Sequence, residues 1–169
     1  YPETVAWTLG ASVDRYREED FDVDKLNPKV GARWAVTPDV TLRAAYFRVV
    51  KPPLVANRTL EPTQVAGFNQ FFDDINGTES TRWGVGADWA LTRSLSVGAE
   101  ATWRRFDEPT TVVTGSGSTT TDTESGDEEL HRLYAYWTPF ERWAFTTGLS
   151  YDKYKIDRFE GDPLPEEVE

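Results

Sequence analysis

The sequence predicts an all-β fold of antiparallel strands, and three observations lead to this prediction. Apolar and polar residues alternate with period two in seven stretches, which is the pattern of a strand with one apolar face. Tight connections alternate strictly with long ones, as in an up-and-down arrangement of neighbouring strands. Trp residues gather near the ends of the stretches, while Val, Leu and Ala fill their middles.

The first stretch shows the alternation most clearly. Every odd position from Val5 to Val13 is apolar, and the even positions from Thr4 to Asp14 are small or polar. The alternation is weakest at 128–137, and no window shows a comparable 3.6-residue period. The same pattern predicts six further strands, at 26–36, 40–47, 81–91, 95–104, 128–137 and 142–152.

The connections between these strands differ in length and composition. Tight turns are predicted at Thr37–Asp39, Thr92–Ser94 and Thr138–Glu141, where Pro, Asp and Ser are ordinary turn residues. Long loops are predicted at 51–80 and 107–127, and a shorter acidic one at Glu18–Lys25. Because tight and long connections alternate, all tight turns should lie at one end of the strands.

Two of the long connections carry different expectations. Residues 110–126 are rich in Ser, Thr, Gly and acidic side chains, which predicts a mobile, solvated loop. Residues 54–76 contain several Phe, Leu and Val side chains, so we expect this segment to fold back onto other loops or into the interior.

Composition excludes several classes of function. The 169 residues include no Cys and one His, His131, which argues against thiolate metal sites and cysteine catalysis. The formal charge of −11 argues against nucleic-acid binding. No signal segment is recognisable, so we expect a mature or excised piece, and no apolar run approaches the length of a transmembrane helix.

Alternation alone fits both a soluble β-domain and a membrane barrel, but both faces favour the barrel. In a membrane barrel, aromatic girdles flank an aliphatic band on the lipid side, and the other face lines the lumen. The predicted girdle residues are Trp7, Trp34, Trp83, Trp89, Trp103, Trp137 and Trp143. The predicted lumen charges are Arg33, Arg43, Arg82, Asp88, Glu100, Arg104 and Arg132. We therefore predict an antiparallel up-and-down transmembrane β-barrel whose long loops are extracellular.

Part of the chain resembles a known family of barrels. The resemblance rests on the following stretches: Asn27–Arg48, Lys51-Pro52-Pro53-Leu54, Leu60-Glu61-Pro62-Thr63, Trp83-Gly84-Val85-Gly86-Ala87-Asp88 and Leu95–Glu100. Over about residues 26–106 they resemble the barrels of TonB-dependent receptors and the similar barrels of tetratricopeptide-repeat outer-membrane proteins. The resemblance implies an outer-membrane barrel and identifies no ligand. The chain shows no plug domain, no energy-coupling box and no closing aromatic strand, and seven strands is an odd number, so we expect part of a larger barrel or a hidden eighth strand.

The candidate ligand-binding residues are Phe68, Asn69, Gln70, Phe71 and Phe72, because rings beside amides can stack on and hydrogen-bond a sugar or siderophore. Self-packing of the loop is favoured over binding. Acidic clusters around 18–24, 73–74 and 122–129 are read as solvated surface rather than as calcium sites. Ion pairing is favoured over glycosidase chemistry for the neighbouring carboxylates Asp88 and Glu100. No cofactor, metal site or catalytic set is expected.

These observations predict a protein of the outer membrane of Gram-negative bacteria that contacts lipid and transports or takes up a small-molecule or polysaccharide solute. A structural or secretory barrel, which anchors a periplasmic repeat domain or exports a polymer, is the alternative. A soluble β-domain that binds a partner is the second alternative. Additional barrel strands or a periplasmic domain are possible partners.

Overall fold

The computed structural model describes residues 4–18, 21–51, 64–69, 74–113, 119–157 and 167–168. All seven predicted strands are present, which confirms the all-β prediction. The strands are β1 (Val5–Glu18), β2 (Phe21–Ala35), β3 (Val40–Val50), β4 (Gln64–Val65), β5 (Phe68–Asn69), β6 (Glu79–Ala90), β7 (Leu95–Val113), β8 (Thr119–Phe140), β9 (Trp143–Asp157) and β10 (Glu167–Val168).

The long strands form one antiparallel up-and-down sheet in the order β1-β2-β3-β6-β7-β8-β9, with the two residues of β10 added beside β9. Strands β4 and β5 form a separate hairpin. No pairing between β1 and β9 occurs among the described residues, so the sheet is open. The expectation of a closed barrel is therefore not met within this part of the chain.

The described residues of two predicted loops lie in strands instead. Residues of the predicted loop 107–127 continue the β7–β8 ladder as far as Val113 opposite Thr119, and β1 and β2 pair as far as Glu18 opposite Phe21. Thr and Val favour extended backbone, and cross-strand contacts add to this preference. Arg105 Nε lies 3.0 Å from Asp127. The prediction of a mobile loop at 110–126 was wrong for residues 110–113 and 119–126, because it rested on composition alone.

The tight turns all lie at one end of the sheet, as predicted. At the β2–β3 turn, the Thr37 hydroxyl accepts hydrogen bonds from the backbone N–H groups of Val40 at 3.0 Å and Asp39 at 3.3 Å. Neighbouring turns are linked, because the Ala90 N–H donates to the Asp39 carbonyl at 2.8 Å. We call this the tight-turn end and the opposite end the long-loop end.

The sheet has two unlike faces. The outer face carries the seven Trp residues, and the inner face carries Arg43, Glu100 and Arg132. The β4–β5 hairpin packs on the inner face, where its apolar residues form a small core with β3, consisting of Ala45, Phe47, Val49, Val65, Ala66 and Phe68. The hairpin belongs to segment 54–76, which was expected to fold back onto other loops or into the interior. Its described residues 64–69 do pack onto the inner face.

Glycines on the inner face make room for the hairpin. A Cβ at Gly31 would lie 2.8 Å from the Ala66 Cβ, and a Cβ at Gly84 would lie 2.7 Å from the Phe68 ring. Real Cβ atoms do not approach other carbon atoms so closely. Within the described ranges, no helix has the length and apolar character needed to cross a bilayer.

Candidate functional site

A transverse row of paired residues crosses the inner face through five strands. It contains Arg33, Arg43, Gly86, Glu100 and Arg132, one each from β2, β3, β6, β7 and β8. Gly86 separates a cation from an anion in this row. Because it has no side chain, Arg43 can extend over it, and a Cβ there would lie 3.0 Å from Arg43 Nη2.

Arg43 is the centre of this arrangement, with a side chain only 9% exposed. Its Nη2 donates to Glu100 at 3.0 Å and to the Tyr134 hydroxyl at 2.9 Å. Its Nε lies 2.9 Å from Asp88, an ion pair without hydrogen-bond geometry. The Tyr134 hydroxyl in turn donates to Asp88.

Glu100 links this centre to the next strand. Its carboxylate is 8% exposed and lies 2.6 Å from Arg132 Nη2, so it is an ion-pair partner of two guanidinium groups. Asp88 and Glu100 are therefore held as partners of arginines, which supports ion pairing over a free acid–base pair. Removing one member of such a cluster leaves a buried charge without compensation, which is costly.

A second ion cluster lies nearer the long-loop end. Arg104 Nη1 lies 3.0 Å from Glu128, and Arg104 also contacts Asp74. Arg82 lies 3.7 Å from the same Glu128 carboxylate and donates to the Asn69 carbonyl at 3.4 Å. Asn69 thereby ties the β4–β5 hairpin to the cluster.

A recess of about 310 Å³ opens beside this second cluster, and its walls include Glu108, Asp152 and Tyr154. Burial raises the pKa of the Glu108 carboxyl, and the charge of Asp74 raises it further. Burial also raises the pKa of the Tyr154 hydroxyl. Carboxylates outnumber guanidinium groups in this recess.

The aromatic candidates are only partly described. The Phe68 ring is 3% exposed and lies 4.9 Å from Arg43 Cζ, beneath the guanidinium group. This burial favours self-packing over ligand stacking for Phe68. Asn69 is exposed, and Gln70, Phe71 and Phe72 lie outside the described residues.

A larger polar recess, about 560 Å³, lies on the inner face beside β9. Arg43 and Glu100 border it at the centre of the sheet, and small β9 residues such as Gly148 border it at the edge. Tyr134 leans away from β9 over Gly98, since a Cβ at Gly98 would lie 2.3 Å from its ring. Open space therefore remains next to the paired charges.

The predicted charges and Trp residues separate by face. Six of the seven predicted lumen charges form ion pairs on the inner face, whereas Arg33 is exposed and has no ion pair among the described residues. The sequence interpretation missed Asp74, Glu128 and Tyr134 as partners. Strand register brings Glu128 and Tyr134 to these arginines, and Asp74 reaches Arg104 from outside the strands, before β6. No group of three or more potential metal ligands occurs within the described ranges.

The outer face is banded along the strands. One aromatic row follows the tight-turn end through Trp7, Trp34, Trp89, Trp137 and Trp143, and a second contains Tyr46, Trp83 and Trp103, which face each other across β3, β6 and β7. Beyond the second row lie ion pairs such as Arg15–Asp24 at 3.3 Å. Many apolar side chains of this face are uncovered, with Leu9 73% and Leu149 69% exposed.

The fold and the two faces define an all-antiparallel β-sheet protein of seven long strands. No known protein family, curated protein or solved structure matches the chain. Its function is therefore argued from the geometry.

Proposed function

We propose that the chain forms wall strands of an outer-membrane β-barrel protein that transports or takes up a solute. The observation that supports this proposal most strongly is the banding of the outer face, in which an apolar band lies between two aromatic rows. Charged residues begin level with the second row, where Glu129 and Lys153 follow Trp103 across β8 and β9, and continue beyond it. A soluble sheet alternates polar and apolar residues between its faces, but water gives it no reason to sort residues along the strand.

The dimensions of the band agree with this proposal. On β7 the outer-face residues from Leu95 to Trp103 span nine positions. Eight steps of about 3.4 Å give roughly 27 Å along the strand. A tilted strand of 9–11 residues is about what a transmembrane β-strand needs. The tight turns would then be periplasmic and the long-loop end extracellular.

The inner face suits a solute path. Its central charges are paired, so a polar solute would meet a wetted but nearly neutral lining at Arg43, Glu100 and Arg132. The β4–β5 hairpin covers part of the inner face. The long connection 51–80, which contains the hairpin, would select among solutes. The solute class is a small molecule or a polysaccharide.

One observation favours the alternative of an anchoring or secretory barrel. The hairpin packs into a closed apolar core with β3, including Phe47 and Phe68. A fixed obstruction of this kind would suit a barrel that holds a periplasmic domain rather than one that conducts. A soluble domain that binds a partner stays the second alternative.

Lipid contact can be tested directly, because the Trp residues report on it. The chain is reconstituted into vesicles that contain lipids brominated along the acyl chains, and Trp fluorescence is compared with vesicles of unbrominated lipid. The proposal expects strong quenching of the wild-type protein. Monodisperse protein in detergent-free buffer with no quenching would refute the membrane assignment.

Conductance separates transport from anchoring. The complete protein in planar bilayers should show discrete conductance steps if it transports solutes. A protein that is quenched by brominated lipid but shows no conductance, even after removal of the hairpin 64–69, would support the anchoring alternative.

A further inference from the structure

We propose that the larger recess on the inner face, beside β9, is a binding site for an uncharged sugar ring. We call it the β9 recess, and its walls include Arg132, Tyr136, Thr146, Gly148 and Ser150. This inference rests on the proposed function and deepens it, because it names the chemical class of the solute and the residues that hold it. The volume of about 560 Å³ lies within the range of about 300–1,000 Å³ that is usual for small-molecule sites.

The space in the β9 recess comes from a glycine that no side chain covers. In the strand register Tyr134 lies between Gly98 on β7 and Gly148 on β9, and its ring covers Gly98. The Tyr134 hydroxyl donates to Asp88, which holds the ring on that side. A Cβ at Gly148 would meet only the Leu133 carbonyl oxygen, at 3.6 Å. The floor of the recess at Gly148 is therefore open to a solute.

The charges that border the β9 recess are equal in number. Among the described residues they are the guanidinium groups of Arg43 and Arg132 and the carboxylates of Asp88 and Glu100. Each carboxylate is paired with at least one of these arginines. A charged solute would meet a like charge beside every opposite one, so it gains little net attraction. An uncharged solute avoids this repulsion.

The polar groups of the β9 recess match the hydroxyls of a sugar. Arg132 is half-exposed, and in the part of the chain that the structure describes it pairs only with Glu100, through Nη2. Within the same described residues, the hydroxyls of Tyr136, Thr146 and Ser150 have no hydrogen-bond partner. The recess thus presents N–H donors together with hydroxyls that both donate and accept. A ring with several hydroxyl groups can satisfy both kinds of group.

Tyr136 adds an apolar surface to this polar lining. The residue is 51% exposed, although it lies on the inner face between Ser96 and Thr146. Its ring centroid lies 5.7 Å from that of Tyr134, with the two ring planes tilted by 55°. The C–H groups on one face of a sugar ring can pack on the electron-rich face of such an aromatic ring. This contact favours a cyclic sugar over an acyclic polyol with the same hydroxyl groups.

Sugar binding to the 169-residue chain in detergent tests the proposal. Labelled maltose, cellobiose and lactose are offered separately, and binding is measured by equilibrium dialysis. At least one of the three should bind, and unlabelled glucose should displace it at a concentration about 5-fold lower than glucuronate, glucosamine or sorbitol. These competitors carry a negative charge, a positive charge and no ring, respectively. Binding of none of the three disaccharides, or stronger displacement by a charged competitor, would overturn the proposal.

Two glycine substitutions show whether the sugar occupies the β9 recess. Gly148→Val fills the floor and should weaken disaccharide binding about 10-fold or more. Gly10→Val is the matched control, because Gly10 also lies on the inner face of an edge strand and a Cβ there meets only the Lys29 Cβ, at 3.8 Å. Valine suits a strand, so both variants should fold. Equal binding by the two variants would overturn the assignment of the site.

Substitutions of Tyr136 and Arg132 test the two contacts separately. Tyr136→Ser should weaken glucose binding about 5-fold and leave sorbitol unchanged, whereas Tyr136→Phe keeps the ring and most of the affinity. Arg132→Gln leaves one carboxylate in excess, so glucosamine should become a better competitor than glucose. A general loss of structure would not reverse this order, and an unchanged order would overturn the charge argument. The glycine pair decides the matter if Arg132→Gln fails to fold.

Quenching of Trp fluorescence by brominated lipid, measured on the same preparations in vesicles, reports lipid contact separately. A chain that is quenched by brominated lipid but binds none of the disaccharides would refute the sugar site and leave the membrane assignment standing. A chain that binds a disaccharide without quenching would refute the membrane assignment alone.

Discussion

The packing of the β4–β5 hairpin against the inner face of the sheet gives the sharpest prediction about stability. Gly84→Ala would place a Cβ 2.7 Å from the ring of Phe68, which is 3% exposed and held from above by Arg43. The ring cannot move without disturbing this core, and overpacking of a tight core costs about 1–3 kcal/mol. Alanine is favoured over glycine in a strand by roughly 0.5–1 kcal/mol. We therefore expect Gly84→Ala to lower the free energy of unfolding by about 1–2 kcal/mol.

Gly10→Ala is the matched control. Gly10 also lies in a strand of the same sheet, but a Cβ there meets nothing closer than the Lys29 Cβ at 3.8 Å. This substitution should be neutral or stabilising by roughly 0.4–1 kcal/mol. Phe68→Ala alone should cost about 3–5 kcal/mol. Combined with Gly84→Ala it should cost less than the sum of the two, because the clash is gone.

The assay is reversible urea unfolding in detergent, followed by Trp fluorescence, for the four variants and the wild type. The reasoning would be refuted if Gly84→Ala were as harmless as Gly10→Ala, or if Gly84→Ala and Phe68→Ala were additive. Either result would mean that the hairpin does not rest on Gly84.

Three further predictions concern charge. Glu100→Gln should destabilise by about 1.5–3 kcal/mol, because it removes the anion that two arginines share while Arg43 keeps Asp88, and Glu141→Gln in an exposed turn should stay within about 0.5 kcal/mol in the same unfolding assay. Ala99→Arg, in the middle of the outer face, should reduce insertion into vesicles by about 2–4 kcal/mol, and unchanged insertion would speak against lipid there. The raised pKa of Glu108, caused by burial and then by Asp74, means that its protonated form is favoured in the fold. Its contribution to stability should be full below pH 4.5 and lost as pH rises through the folded pKa. Glu108→Gln should flatten this dependence in unfolding curves measured across pH, and an unchanged slope would contradict it.

Much of the candidate site depends on pairings that a linear pattern does not contain. Arg43 and Glu100 were recognisable as charges on one face, because period two assigns faces locally. Their contact required the register that places Gly86 between them. Phe47 and Val49 were not recognised as the surface on which the hairpin packs, because nothing in the local pattern of β3 shows which distant segment covers its inner face.

The sequence by itself determined the seven strands, their up-and-down order and the sorting of the Trp residues and the predicted lumen charges onto opposite faces. These features follow from local alternation and from connection length, which act over a few residues. Only the tertiary structure decided that residues 107–113 and 119–127 of a predicted loop extend the β7–β8 ladder, that residues 64–69 pack on the inner face and that β1 and β9 do not pair within the described part of the chain. Each of these depends on which distant backbone or side chain becomes a neighbour, and that is fixed by register and packing rather than by local composition.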